Sequence, residues 1–149
     1  MELVLKKLQL KEQSPVLVLN APTMFGDAIK GRAAEVYTGI KGKYDFIIAF
    51  AKDLQEMKKF VKDVTAAIEK DGYLWICYPK GSSKKYKSDI NRTKLLEVFG
   101  PFNFEGVTQI SIDDDWSTVR VRPVDEIRTM KRTWAMSEKG KERIRDNKK

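Results

Sequence analysis

A run of cationic and hydroxyl side chains follows one of the most apolar segments of the chain. Residues 73–78 are apolar, and after a proline come Lys80, Gly81, Ser82 and Ser83. Lysine supplies a point charge, while hydroxyls and loop amides supply hydrogen-bond donors, so this combination suits an anion. The spacing differs from that of a Walker phosphate loop, which excludes that motif. The run predicts a small-anion site, with a solvated loop as the alternative.

A second loop with candidate ligand-binding residues contains Asn20 and Pro22 and follows the apolar segment 16–19. Ligands of open α/β sheets lie beyond the carboxyl ends of the strands. We therefore expect both loops to border one crevice. Farther along the chain, Asp89 and Arg92 are predicted to form an ion pair that holds the basic loop in place.

An aromatic and two cationic residues, Trp116, Arg120 and Arg122, fall on one face of a predicted strand. Such a face suits nucleic acid or a planar anion. The alternative is that Trp116 packs in the core while the arginines reach water. The preceding Asp113–Asp115 could bind a hard cation through oxygen ligands, but we interpret this segment as a hairpin turn and assign no metal site.

The composition excludes several kinds of catalysis. The chain contains no histidine, which removes imidazole acid–base chemistry and imidazole metal ligands. Its one cysteine, Cys77, lies within an apolar segment and is predicted to be a small buried residue rather than a metal ligand. A nucleophilic Ser82 or Ser83 would need a base, and Lys80 is the only one nearby. We therefore assign no catalytic residue and no cofactor.

The net charge of +8 is concentrated in two places. Residues 79–94 hold six Lys or Arg against one Asp, and residues 125–149 hold nine Lys or Arg against five Asp or Glu. A basic loop at 80–94 and a basic tail could contact nucleic acid phosphates, with a solvated tail as the alternative. The cationic residues that surround Trp134 in the tail are Lys131, Arg132, Lys139, Lys141, Arg143 and Arg145.

Residues 44–80 are predicted to form a strand, a helix and a second strand. This unit positions the loops described above. The apolar runs 44–50 and 73–78 are typical of parallel strands covered on both faces. Between them, apolar residues recur at steps of three and four over 54–70. Asp53 is predicted to cap this helix, and Gly72 to end it in the left-handed conformation.

The remaining pattern completes one domain at residues 1–124, followed by the tail 125–149. Helices are predicted at 2–9, 23–31 with Thr23 as the cap, and 93–99, and strands at 16–19, 35–38, 107–112 and 116–122. No apolar run approaches the ~18 residues that a membrane span needs, and the first residues lack the features of a secretory signal. We expect a cytoplasmic protein without membrane contact.

Three short motifs, in this order, resemble a family of small bacterial proteins known as a domain of unknown function (number three thousand and fifty-two). The motifs are Leu19-Asn20-Ala21-Pro22; Leu74-Trp75 through Tyr78-Pro79-Lys80, with Ser82, Ser83 and Asp89; and Asp113-Asp114-Asp115-Trp116-Ser117, with Arg120 and Pro123. The resemblance covers most of residues 1–124. It implies a Rossmann-like fold and brings no established activity.

The order and spacing of residues 44–122 also resemble the second half of a Rossmann-like, class I methyltransferase. That resemblance implies a glycine-rich turn after the first strand and an acidic residue at the end of the second strand. Here the first turn has one late glycine, Gly26, and contains Pro22, which has no amide hydrogen to donate. Glu35 stands at the start of the predicted second strand rather than at its end.

Together these observations predict an α/β protein with a small Rossmann-like three-layer fold and a mostly parallel sheet that ends in an antiparallel hairpin. Our leading hypothesis is a non-catalytic domain that binds a small anionic ligand or a protein partner. The alternatives are a nucleic-acid-associated protein and a divergent S-adenosylmethionine-dependent methyltransferase. The candidate ligand-binding residues are Asn20, Pro22, Lys80, Ser82, Ser83, Asp89, Arg92, Trp116 and Arg120.

Overall fold

A six-stranded sheet forms the centre of the computed structural model, which describes residues 2–127. The strands are β1 (Val16–Leu19), β2 (Val36–Tyr37), β3 (Tyr44–Phe50), β4 (Ile68–Pro79), β5 (Phe104–Ser111) and β6 (Trp116–Pro123). The helices are α1 (Glu2–Lys7), α2 (Thr23–Lys30), α3 (Leu54–Ala67) and α4 (Arg92–Phe99), with 3-10 turns at Gly100–Phe102 and Val124–Glu126.

The strand order is β2-β1-β3-β4-β6-β5. The first four strands of this order are parallel, and β6 pairs antiparallel with both β4 and β5. The predicted fold class is thereby confirmed, including the antiparallel hairpin at the end. No helix within residues 2–127 is both long and apolar enough to cross a membrane.

Each face of the sheet carries its own layer of helix and its own apolar core. On one face, α3 and α4 cover residues such as Ile47, Leu74 and Val119. On the other face, α1 and α2 cover residues such as Phe46 and Trp75. Burial of both faces explains why β3 and β4 are continuous apolar runs rather than alternating ones.

Helix α3 begins as the sequence predicts, because the Asp53 side chain accepts a hydrogen bond from the Glu56 amide at 2.8 Å. Its predicted end at Asp71-Gly72 is wrong. The helix ends at Ala67 and β4 starts at Ile68, since Ile68 pairs with Tyr44 in the sheet. The left-handed residue is Asp71, with a φ of 60°, and not Gly72.

Two smaller predictions also differ from the structure. Thr23 is not a cap, because α2 starts at Thr23 itself and Pro22 precedes it without a capping side-chain hydrogen bond. Strand β5 begins at Phe104, three residues before the predicted start. The tail prediction from residue 128 onward, with Lys131 and Trp134, lies outside the described residues.

Candidate functional site

Two clefts lie beside the first turn of α2, at the end of the sheet where β1 and β4 finish. The Tyr86 cleft, of about 290 Å³, is lined by Pro22, Thr23, Met24, Phe25, Phe50, Lys85, Tyr86, Ile112, Asp113, Asp115 and Trp116. The Asn20 cleft, of about 280 Å³, is lined by Val18, Asn20, Ala21, Thr23, Gly26, Asp27, Lys30 and Thr38. Thr23 borders both, so the start of α2 separates two neighbouring cavities.

Aromatic rings form one wall of the Tyr86 cleft. The ring centroids of Phe25 and Phe50 lie 5.2 Å apart, those of Phe50 and Trp116 lie 5.1 Å apart, and those of Trp116 and Tyr86 lie 5.2 Å apart. Tyr86 is half-buried at the outer end of this chain of rings. The Lys85 ammonium lies 5.4 Å from the centroid of its ring, which is within cation–π distance.

The turn between β1 and α2 exposes backbone donors. Asn20 adopts a φ of 57°, in the left-handed region, and turns the chain toward α2. The amides of Phe25 and Gly26 donate to the Pro22 carbonyl. Within the described residues, the amides of Thr23 and Met24 have no protein acceptor. They are two of the four amides that a helix start leaves without an intrahelical partner.

The basic loop is fastened to the hairpin between β5 and β6. The Lys80 amide donates to the Asp115 carbonyl at 2.8 Å, and the Ser83 hydroxyl donates to Asp115 Oδ1 at 2.7 Å. The Lys80 ammonium donates to the Ser111 hydroxyl at 2.6 Å. Lys80 and Ser83, predicted as anion ligands, therefore take part in holding the loop, and Ser82 lies exposed beside them.

The predicted ion pair between Asp89 and Arg92 is wrong. Asp89 Oδ1 accepts a hydrogen bond from the Leu54 amide at 2.8 Å, which ties the far end of the basic loop to the start of α3. Arg92 is the exposed first residue of α4. Neither residue lines the two clefts.

The aromatic–basic face does not form, because Trp116 is only 4% exposed and packs in the core, as the alternative interpretation of this residue expected. Arg120 lies on the same strand face but toward the opposite end of β4, since it pairs with Trp75 whereas Trp116 pairs with Pro79. Its guanidinium stacks on Tyr73, 3.7 Å from the ring centroid. Burial, and then the neighbouring Arg122, lower the pKa of Arg120 from its ordinary value.

The Asp113–Asp115 segment is a turn, as predicted, and the Asp113 side chain holds it. Asp113 Oδ1 accepts hydrogen bonds from the amides of Asp115 and Trp116, each at 2.8 Å. Among residues 2–127, no group of three or more acidic, cysteine or histidine side chains is placed to hold a metal ion.

Cys77 is fully buried in β4 and does not line either cleft. Its thiol donates to the Thr118 hydroxyl at 3.2 Å. Burial raises the pKa of the Cys77 thiol, which disfavours the reactive thiolate.

The structure thus divides the predicted site residues among different places. Pro22 and Trp116 line the Tyr86 cleft, and Asn20 lines the adjoining cleft. Of the other six, Lys80, Ser83 and Asp89 anchor the basic loop, Ser82 lies exposed in it, Arg92 starts α4 and Arg120 stacks on Tyr73. Among the cleft residues that the sequence analysis did not assign to a site, Thr23, Lys85 and Tyr86 fall within the two predicted loops, and Asp27 lies in α2. An aromatic residue between lysines in the basic loop was the available signal for Tyr86.

Comparison with known proteins identifies the fold. No protein-family model matches the sequence, and no curated protein matches it. A solved structure of ribosomal protein L11 methylase from Lactobacillus delbrueckii subsp. bulgaricus has a TM-score of 0.56 at 11% identity, covering 82% of this chain and 76% of that chain. The likeness at this identity shows a shared fold.

Two other solved structures are similar to this chain. The N-methyltransferase NodS from Bradyrhizobium japonicum, in complex with S-adenosyl-L-homocysteine, has a TM-score of 0.52 at 11% identity, with 83% and 84% of the two chains covered. A TehB-like methyltransferase from Corynebacterium glutamicum has a TM-score of 0.51 at 10% identity, with 80% and 85% covered. The chain therefore has the Rossmann-like fold of class I S-adenosylmethionine-dependent methyltransferases.

Proposed function

We propose that the protein is a divergent class I methyltransferase that binds S-adenosylmethionine at the carboxyl edge of its sheet. The observation that carries this proposal is the pair of clefts at the start of α2, immediately after β1, in a methyltransferase-type fold. Ligands of open α/β sheets lie at this edge. The proposal replaces a non-catalytic domain as our leading hypothesis.

The groups that line the Tyr86 cleft suit the amino-acid part of the cofactor. The amides of Thr23 and Met24 and the ammonium of Lys85 are donors for its carboxylate. The carboxylates of Asp113 and Asp115 are acceptors for its amino group, although each already holds a loop contact. Opposite charges within one cleft favour a zwitterion over a simple anion.

The cofactor would extend past Thr23 into the Asn20 cleft. Each cleft alone is near the lower end of the ~300–1,000 Å³ typical of small-molecule sites, and the two share Thr23. In the Asn20 cleft, the carboxylate of Asp27 is the acidic group that can accept hydrogen bonds from the ribose hydroxyls. Glu35 is less suited, because its carboxylate accepts a hydrogen bond from the Tyr37 hydroxyl.

The turn between β1 and α2 differs from the glycine-rich turn of class I methyltransferases. This difference is the reason why we call the proposed enzyme divergent. With Pro22 and a single Gly26, fewer backbone amides reach the cofactor than in a glycine-rich turn. We infer that side chains of the basic loop, above all Lys85 and Tyr86, take over part of the binding. In the reaction, the methyl group would leave the sulfonium sulfur, which keeps the bonding electron pair, and pass to a nucleophile of a second substrate.

Isothermal titration calorimetry of the full chain with S-adenosylmethionine and S-adenosyl-L-homocysteine tests the proposal. We expect both to bind with dissociation constants below about 1 mM. Sugar phosphates and ATP serve as comparison ligands. Binding of these anions without binding of either adenosyl compound would contradict the proposal and restore the small-anion hypothesis, which the lysines around Tyr86 favour.

A further inference from the structure

A groove on the opposite face of the sheet from the two clefts lies between α3 and α4. It has a volume of about 550 Å³ and is lined by Leu54, Lys58, Val61, Lys94, Glu97, Val98, Pro101 and Phe102. Leu54, Lys58 and Val61 are spaced by four and three residues, so they form one stripe along α3. Two residues of the 3-10 turn Gly100–Phe102, Pro101 and Phe102, also line it. The groove is unrelated to the proposed cofactor site.

The floor of this α3–α4 groove is apolar and partly open. Phe102 is 37% exposed, which is unusual for a phenylalanine, and Leu54 and Val98 are half-buried. Exposed apolar surface rimmed by polar residues is typical of a site where another protein binds. Grooves between helices of this kind accept the apolar face of an amphipathic segment.

The charged residues that line the groove are Lys58, Lys94 and Glu97, so the lining carries one more positive than negative charge. Lys58 and Lys94 are exposed, and no ion pair within residues 2–127 involves either of them or Glu97. Lys62, one turn farther along α3, is also exposed. Unpaired cations beside an apolar floor favour an occupant with both apolar and acidic side chains.

This charge argues against the other occupants. Residues 128–149 of this chain hold nine Lys or Arg against three Asp or Glu, so the tail has the same sign as the rim. Nucleic acid matches the lysines but gains nothing from the floor made by Val61, Val98 and Phe102. A second copy of the groove would bring lysine against lysine.

We propose that the α3–α4 groove is a docking site for an acidic, amphipathic helical segment of a protein partner. Apolar side chains of that segment pack on Phe102, Val98 and Leu54. Its Asp and Glu residues lie beside Lys58 and Lys94 and select it against basic segments.

The test uses the full chain and a fluorescein-labelled helical peptide with Leu at positions i, i+3, i+4 and i+7 and Glu at the flanking positions. A matched peptide carries Lys in place of each Glu. Fluorescence anisotropy measures binding, and nuclear magnetic resonance shifts of the Val61, Val98 and Phe102 amides locate it. We expect the acidic peptide to bind at least tenfold more tightly than the basic one, with the largest shifts at these amides.

Two variants show whether the groove itself is responsible. The double variant K58E/K94E should weaken the acidic peptide about tenfold and strengthen the basic one. The control K7E/K11E reverses two exposed lysines near α1, on the other face, and should bind like the wild type. Phe102→Ala should also weaken binding, and because the side chain is 37% exposed it should lower the thermal midpoint less than truncation of a fully buried phenylalanine such as Phe99.

Several outcomes would overturn the proposal. These are equal binding of the two peptides, no binding of the acidic peptide at about 1 mM, or shifts that map away from the groove. If deletion of residues 128–149 alone shifts the groove amides, the occupant is the tail instead. If light scattering shows a dimer that Phe102→Ala dissociates, the occupant is a second copy.

Discussion

The carboxylate of Asp89 accepts a hydrogen bond from the backbone amide of Leu54 at 2.8 Å, across 35 residues of sequence. Asp53 accepts from the Glu56 amide at the same helix end, so two carboxylates serve the start of α3. Negative charge is favourable at a helix N-terminus. The contact gives the basic loop a fixed end point at the start of α3, shortly after β3 ends at Phe50.

Replacing Asp89 with Ala should therefore destabilise the protein and loosen the loop. We expect the free energy of unfolding to fall by about 0.5–2 kcal/mol, the usual cost of losing a capping side chain. Trypsin should also cleave the variant faster at Lys84, Lys85 and Lys87. Urea unfolding and a proteolysis time course measure the two effects. Asp114→Ala is the control, because Asp114 is exposed and its side chain makes no hydrogen bond to any of residues 2–127. Equal behaviour of the two variants would show that the contact has no role.

Gly72 is required by close packing in β4. A Cβ atom there would lie 2.9 Å from Ile68 Cδ1 and 3.0 Å from each of the carbonyl oxygens of Asp45 and Glu69. Backbone oxygens cannot move aside as a side chain can. Gly72→Ala should lower the free energy of unfolding by about 1–3 kcal/mol, whereas Gly42→Ala, where nothing lies within 4 Å, should have little effect. Thermal unfolding of both variants checks this, and an unchanged midpoint for Gly72→Ala would contradict it.

Cys77 should make stability depend on pH in the alkaline range. Burial raises the pKa of the native thiol above its ordinary value of 9.0. As the pH rises above 9.0, the unfolded chain loses the thiol proton while the native protein keeps it, so the unfolded state binds fewer protons and stability falls. The slope from this group approaches about 1.4 kcal/mol per pH unit.

Urea unfolding of the wild type and of Cys77→Ala between about pH 8 and pH 10 isolates this contribution, because tyrosines and lysines titrate in both proteins. The variant should be less stable overall but lose less stability as the pH rises. Iodoacetamide should modify the wild type slowly without urea and quickly in it. Rapid modification of the folded protein would mean that the thiol is accessible.

If the Tyr86 cleft binds S-adenosylmethionine, two loop substitutions should weaken it selectively. Tyr86→Ala removes the outer ring of the aromatic wall, and Lys85→Glu places a negative charge beside the carboxylate of the ligand. We expect each to raise the dissociation constant about tenfold or more in calorimetry. Lys87→Glu is the matched control, since Lys87 lies in the same loop but not on the cleft. A loss of affinity with Lys87→Glu equal to that with Lys85→Glu would indicate a general charge effect.

The nucleic-acid hypothesis stays a prediction with its own test. Gel shift of the full chain across a salt series should show retardation at low salt that disappears as the salt concentration rises. A chain that ends at residue 127 should have a shallower salt dependence if the tail contacts phosphates. Absence of retardation at low salt would remove the hypothesis.

Sequence alone was sufficient for the elements with strong local signals. The continuous apolar runs of β3 and β4, the apolar stripe of α3 and the Asp53 cap are properties of neighbouring residues, and each is present in the structure. The fold class followed from their order, since parallel strands joined by helices have few possible arrangements.

Tertiary structure decided the features that depend on residues far apart in sequence. The pairing of Ile68 with Tyr44 ended α3 three residues before its periodic pattern did. Asp89 bonded to Leu54 rather than to Arg92. For Trp116 the sequence left both packing and outward exposure with Arg120 open, and contacts with Phe50 and Tyr86 buried it. In each case a long-range contact satisfied a backbone group or buried an aromatic ring, and that gain outweighed the local preference on which the prediction rested.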